Sequence, residues 1–205
     1  MNERTQRIIL VVVAIVCVLA LDLTSKAWAW ANLRNGESVE VIEGLFYLKF
    51  GFNTGAAFSF LRDANWARGF FILITLGALG YMGWLAAKMP TTKWWGFAAV
   101  GMIAGGALGN LHDRFVRTMR VPHEGEVVER YGVVDFLQFY YPWDPEHYWP
   151  IFNVADSALV VGVVLLLLYI GRFGDSEAEA EAEQGAASEL PEAEDADIGA
   201  TPAGA

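Results

Sequence analysis

The sequence predicts an all-α membrane protein with four transmembrane helices. Three observations carry that expectation. The 205 residues are 55% hydrophobic. The apolar residues gather in long runs instead of alternating, and tryptophan and tyrosine collect at the ends of those runs. A helix that crosses a hydrocarbon core of about 30 Å needs about 20 mostly apolar residues. Four segments meet that need, at 8–30, 69–87, 94–111 and 151–171.

The first run meets charge only near its far end, at Asp22 and Lys26. Arg4 and Arg7 precede it, and Ala29-Trp30-Ala31 has the small-x-small form, so a removable leader is the competing reading. Asp22 and Lys26 would then fall between the apolar run and the cut, which favours a retained helix. Cys17 follows Val16, where a lipid-attachment box requires a small residue, and reads as a packing or lipid-facing residue. The second and third runs carry no charge, and the fourth carries only Asp156. Trp28, Trp94, Trp95, Trp143 and Trp149 sit at run ends, where amphipathic rings form an interfacial belt.

Composition excludes several classes. One cysteine rules out an internal disulfide framework and a Cys-rich zinc site. His112, His123 and His147 have no metal-ligand spacing, so no metal or other cofactor is expected. No serine stands in a nucleophile-elbow context. The formal charge of −10 belongs to residues 175–205, which hold ten acids and no base, leaving 1–174 balanced at fourteen of each. No basic field remains to attract nucleic acid. The chain therefore divides into a membrane-embedded domain, 1–174, and an acidic tail, 175–205, too poor in apolar residues to order itself.

Four spans put both termini on one side. Five bases flank the spans on that side and nine lie on the other, so a raw count argues against an internal N-terminus. The positive-inside rule is strongest for short loops, and Lys88 and Lys93 bound the only short one. Both termini are therefore expected in the cytoplasm.

Ionisable groups at membrane depth are costly and point to function. Here they gather toward one face. Asp22 and Lys26 stand at i, i+4, which suits a structural ion pair at the helix end as well as a direct role. Phe52–Ser59 is a loop of small residues around Asn53, able to approach a ligand closely or simply to turn. Gly101, Gly105 and Gly109 form a small-xxx-small stripe for tight helix packing. Asn110, Asp113 and Arg114 continue that helix on one face. Asp135 lies within an apolar stretch. Asn153 and Asp156 open the fourth run at a spacing that also fits a helix cap.

Carboxylates are the chemistry that remains. Asp135 and Asp156 both sit at ends of apolar elements. Two carboxylates at hydrogen-bonding distance share one proton, so one serves as base and the other as acid. The base activates water against a peptide carbonyl, and the acid protonates the leaving amine. A place in the first turn of a helix favours Asp156 as the ionised member.

Five stretches in order, Asp22–Lys26, Asn53–Ser59, Gly105–Arg114, Val133–Phe136 and Phe152–Asp156, resemble those of the lipoprotein signal peptidases, or signal peptidase II. The resemblance covers roughly 8–171 and leaves out the tail. It implies an aspartic endopeptidase of the bacterial inner membrane, cutting diacylglyceryl prolipoproteins just before the lipidated cysteine. Asp135 and Asp156 would be catalytic. Asn53, Asn110, Arg114 and Asn153 would line the site, with Asp22, Lys26 and Asp113 in support. A monomer among membrane lipids, a site at the outer face and a small extracytoplasmic β-sheet on the outer leaflet are also implied, and 39–60 fits such a sheet. Two stretches depart from the family pattern by their length, the link between Arg114 and Asp135 and the run 141–150. Both are expected to loop outward. The alternatives are a four-helix transporter or channel, which needs charge through the whole membrane, and a scaffold that acts through its tail.

Overall fold

The computed structural model describes residues 1–55, 66–123 and 125–188. Met1–Leu168 forms one compact unit and Tyr169–Ala205 a second. The first unit contains α1 (Glu3–Asn32), β1 (Ser38–Ile42), β2 (Phe46–Asn53), α2 (Ala67–Lys88), α3 (Trp94–Val116), β3 (Thr118–His123), β4 (Glu126–Tyr131), β5 (Val133–Tyr141), β6 (Asp144–Tyr148) and the start of α4 (Val154–Ser188). Among the described residues the expected four helices are present, and the small sheet expected beside them is one of two sheets, a four-stranded and a two-stranded one. Helix α4 also continues past residue 175 to Ser188. Alternating Glu and Ala favour a helix locally whatever they fail to bury.

Among the described residues, three helices are long and apolar enough to cross a membrane: Glu3–Asn32, Arg68–Lys88 and Val154–Arg172. Helix α3 differs for a physical reason. Its sequence is rich in Gly and Ala, and it is buried along much of its length, so it faces helices instead of lipid. A Cβ on Gly101 would come within 2.6 Å of Ala14 Cβ, and one on Gly105 within 2.8 Å of Val18 Cβ. The glycine stripe therefore lies against α1. A Cβ on Gly106 would lie 2.5 Å from the Ala155 carbonyl oxygen, so a neighbouring stripe lies against α4. Close backbone approach of this kind substitutes for hydrophobic driving force where the solvent is lipid.

Three helix ends are met by side chains. Asn2 Oδ1 accepts from Thr5 N–H at 2.8 Å and caps α1. Arg4 donates to the carbonyls of Met89 and Ala86 at 2.8 and 2.9 Å, closing the C-terminus of α2. Arg68 Nε donates to the Arg114 carbonyl at 2.8 Å near the end of α3. A cation at a helix C-terminus meets the negative end of the dipole.

The larger sheet is antiparallel with order β1-β2-β5-β6. Ala29 and Leu33, at the end of α1, pack with Val134 and Phe136 of β5 in a buried cluster. Trp30 meets Phe50 and Phe52 edge-on. The long link after Arg114 folds into the β3–β4 hairpin, and 141–150 supplies β6, so both are ordered strands and not plain outward loops. The β-sheet expected within 39–60 is seen as β1 and β2; residues 56–60 lie outside the described residues.

Two variants test the packing. Gly106→Val is expected to lower thermal stability in detergent by about 1–3 kcal/mol, the usual cost of overpacking. Gly77→Val, where an added Cβ meets nothing within 4 Å, is expected to leave the melting temperature unchanged. Equal melting curves for the two would contradict this helix arrangement.

Candidate active site

Asp135 and Asp156 are 21 residues apart in sequence. The backbone brings them together. Phe152 N–H donates to the Leu137 carbonyl at 3.0 Å, and the Phe152 carbonyl accepts from Phe136 and Leu137 at 2.9 and 2.8 Å. The residues just before α4 are thereby zipped to β5. Asp135 follows two residues up that strand, and Asn153 follows Phe152. Opposite Asp135 stands Gly51, just past a register shift in β2. Bulges of this kind re-aim side chains beside functional sites.

Asn153 is the joint. Its Nδ2 donates to Asp135 Oδ1 at 2.6 Å. Its Oδ1 accepts from Asp156 N–H at 2.9 Å, and its own N–H donates to Asp156 Oδ2 at 3.2 Å. The last two bonds are the reciprocal pattern of a capping box, with the acid in the third helical position. Capping and site geometry are thus one arrangement, not rival readings. Asn110 Nδ2 donates to Asp156 Oδ1 at 2.7 Å, so this carboxylate has donors on both oxygens. The Asn53 amide hydrogen-bonds Asp135 from β2, while Asn53 Oδ1 accepts from Gly55 N–H at 2.9 Å. Gly55 has φ +98°, a left-handed conformation that suits glycine in the turn.

Behind this layer lies a buried ionic one. Asp22 and Lys26 are fully buried, with Lys26 Nζ 2.8 Å from Asp22 Oδ2. Lys26 also donates to Asn110 Oδ1 at 2.9 Å and fixes which way that amide points. Asp22 Oδ1 accepts from Ala155 N–H at 2.9 Å, so α1 caps α4. Asp113 is fully buried as well. It accepts from Arg117 Nε at 2.9 Å and from Val134 N–H at 3.0 Å, tying α3 to β5 one residue before Asp135. Lys26 Nζ stands 3.7 Å from it. Arg114 donates to the Asn110 carbonyl at 3.2 Å, and its guanidinium lies 4.9 Å from the Phe71 ring centre.

All nine residues singled out in the sequence thus fall in one region at one end of the helices. Ala56–Ser59, from the small-residue loop, lie outside the described residues. Sequence reasoning missed Arg117 and Arg68. Arg117 follows Asp113 at i+4, the acid-first spacing already used for Asp22 and Lys26, so that rule could have found it. Arg68, which holds the Arg114 carbonyl and lies over Tyr131 at 3.6 Å from the ring centre, had no sequence signal.

Asp135 lies on β5, outside the apolar helices, and is 3% exposed. Burial pushes its carboxyl from an ordinary value of 3.8 up to about 7. The negative charge of Asp156 adds to the rise, and hydrogen bonds from Asn153 and Asn53 oppose it. Near neutral pH, then, Asp135 can hold or release a proton beside a second carboxylate. Two acids joined through one amide, at the end of a bundle of apolar helices, have the geometry that a membrane-associated hydrolase of the carboxylate-pair class needs.

The comparisons agree with that class. The family model for signal peptidase (SPase) II matches residues 14–172. A lipoprotein signal peptidase of Xylella fastidiosa strain 9a5c is 37% identical over 150 residues, covering 73% of this chain and 80% of its own. One of Xanthomonas campestris pv. campestris strain 8004 is 36% identical over 153 residues, covering 74% and 82%. A bacterial membrane enzyme solved by the in meso method at 2.3 Å resolution superposes with a TM-score of 0.64 and 26% identity, over 81% of this chain and 90% of that one. The chain belongs to the signal peptidase II family and is a protease.

Lys26→Met is expected to destabilise the protein by about 3–5 kcal/mol, because it leaves Asp22 buried without its cation, while Asp113 keeps Arg117. Adding Asp22→Asn should recover part of that loss. A Lys26→Met protein that melts like wild type in detergent would show that this ionic layer holds nothing in place.

Proposed function

We propose that this chain is a membrane-embedded aspartic endopeptidase that removes the signal peptide from diacylglyceryl-modified prolipoproteins, cutting before the lipidated cysteine. The observation that carries the reading is Asn153, which hydrogen-bonds both Asp135 and Asp156. In this reading Asp156 acts as the carboxylate that takes a proton from water. The water oxygen attacks the scissile carbonyl carbon. Asp135 enters protonated, donates to the carbonyl oxygen as the tetrahedral intermediate forms, and the proton held by the pair passes to the leaving amine. Asn53, Asn110, Arg114 and Asn153 orient substrate and acids, and Asp22, Lys26 and Asp113 hold them. No second chain is required, since every group named comes from one polypeptide.

The membrane placement belongs to the same proposal. All four helices span the bilayer, α3 included, because a helix shielded by its neighbours need not be apolar enough to face lipid. Arg4, Arg7, Lys88 and Lys93 mark the cytoplasmic side, with the acidic residues 175–205 as a cytoplasmic tail. The carboxylate pair then lies at the outer face of the inner membrane, and the four-stranded sheet rests on the outer leaflet. A substrate held by its acyl chains presents its peptide bond at that depth, since each buried CH₂ contributes about 0.8 kcal/mol to anchoring. The buried polar residues among those described lie at one end of the helices, which disfavours a conduction path across the membrane.

Asp135→Asn and Asp156→Asn, assayed singly on a diacylated precursor, are each expected to lower turnover by about 10³-fold or more, the scale set by losing a member of a cooperating catalytic group. Asp113→Asn is expected to retain measurable turnover with lower stability. Full inactivity of Asp113→Asn alone, with Asp135→Asn active, would assign the wrong pair.

The pH dependence follows from the raised acidity constant of Asp135. Above about 7 it ionises, both acids are charged, and turnover is expected to fall with rising pH. Stability moves the same way. The folded state holds a proton that the unfolded chain has lost between 3.8 and about 7, so this group destabilises the fold progressively as pH rises through that window. Asp135→Asn should therefore melt higher than wild type at pH 8 and lose that advantage near pH 4. A pH-independent difference would reject the assignment.

A further inference from the structure

A groove of about 350 Å³ opens beside the carboxylate pair, lined by Trp149, Phe152, Asp156, Ser157, Val160 and Val161. Its floor is one strip of α4, because 156, 157, 160 and 161 share a helical face. Its walls come from the segment between β6 and α4. We propose that this groove takes one acyl chain of the lipidated substrate and thereby sets chain-length preference. The inference rests on the peptidase reading above and adds a place for the lipid.

Three observations favour an acyl chain. First, the groove is continuous with the site, since Asp156 is both a member of the pair and a lining residue. The lipid is attached to the residue next to the scissile bond, so it is the apolar group nearest that acid. Second, polarity is graded along the floor. Asp156 and Ser157 stand at one end, where a glyceryl ester would lie, and Val160 and Val161 at the other. Both valines are exposed, at 64% and 47%, and so open toward lipid. Third, the shape suits a linear chain. Five residues of helix rise only about 7.5 Å, and a helix with its side chains is about 10–12 Å wide. A helical signal sequence would find one wall here and no opposing one. A second apolar groove, lined by Trp66, Arg68, Phe70 and Phe115 among others, contains neither acid of the pair.

The groove gains no transfer free energy, because the chain comes from lipid and enters an equally apolar surface. Its contribution is orientation: a chain seated along α4 limits where the adjacent peptide bond can lie. The effect therefore belongs in kcat/KM for cleavage and not in partitioning of substrate into the micelle. Trp149 is the wall residue from the segment 141–150, one of the two stretches that depart from the family pattern.

The test compares one precursor peptide carrying either a dipalmitoylglyceryl or a diacetylglyceryl group, whose acyl chains are too short to run along the groove, at equal mole fraction in detergent. Wild type is expected to favour the long-chain form by about tenfold in kcat/KM, a modest part of what orientation can supply. Val160→Trp, which fills the groove, and Trp149→Ala, which removes its wall, should each bring that ratio near one while the short-chain rate stays within about twofold. In parallel, a palmitoyl chain with a diazirine about six carbons from the ester, the length that fits a floor rising about 7.5 Å, should label Val160, Val161 or Trp149 of the unmodified protein, which keeps the proposal testable if Val160→Trp does not fold. A ratio unchanged in both variants, labelling confined to α2, or variants that change dependence on the length of the signal helix instead, would each overturn the groove assignment while leaving the peptidase reading intact. Failure of wild type to cleave either precursor would instead overturn the peptidase reading itself.

Discussion

The structure depends on a single side-chain amide. Asn153 caps α4, and through the same atoms it sets the spacing of two acids that come from different kinds of element. An N-cap has a fixed geometry, because its side-chain oxygen must reach a backbone N–H in the first turn. Asp156 occupies the position that completes this reciprocal cap. That leaves the Asn153 NH₂ free to face away from the helix, toward Asp135 on β5. The helix start would cost stability without its cap, so the catalytic geometry is held by an interaction the fold needs in any case.

The second constraint is the buried layer below. Two buried acids and one lysine in an apolar bundle are tolerable only if each finds partners. Asp22 finds Lys26 and the amide of Ala155, and Asp113 finds Arg117 and the amide of Val134. Each acid thus binds a backbone N–H on an element that carries a member of the pair: Ala155 precedes Asp156, and Val134 precedes Asp135. The rigid part of the bundle reaches the site through these two amides. Gly109 belongs to the same layer, since a Cβ there would collide with the Asp22 carboxylate.

Much of this was legible in the sequence, for identifiable reasons. Long apolar runs announce helices because lipid imposes their length, and isolated acids within them stand out because burial makes them costly. Asp22, Asp135 and Asp156 were visible on those grounds, Asn110 because it continues the glycine-stripe helix, and Asn153 because its spacing to Asp156 fits a helix cap. The sheet was not, apart from β1 and β2. Val133-Val134-Asp135-Phe136 is a continuous apolar run with one acid, and such a run does not distinguish a strand buried on both faces from a piece of helix. The hairpin and β6 lie in polar, charged stretches whose pairing depends on partners distant in sequence. Arg68 was invisible because a cation–carbonyl cap between two helices leaves no pattern along either one.

The long stretches around β5 show how the chain accommodates departures without moving the acids. In the four-stranded sheet β5 is interior, held by β2 on one side and by β6 on the other. The β3–β4 hairpin forms a separate sheet and leaves β5 free to start at Val133. Length can therefore be added before Val133 or after Tyr141 without shifting the pairing of Gly51 with Asp135 or the backbone bonds between Leu137 and Phe152. Those bonds, together with Asn153, are what fix Asp135 relative to Asp156. Variation in these two stretches alters the walls around the pair, as Trp149 does, and leaves the proton chemistry where the strand and the helix cap put it.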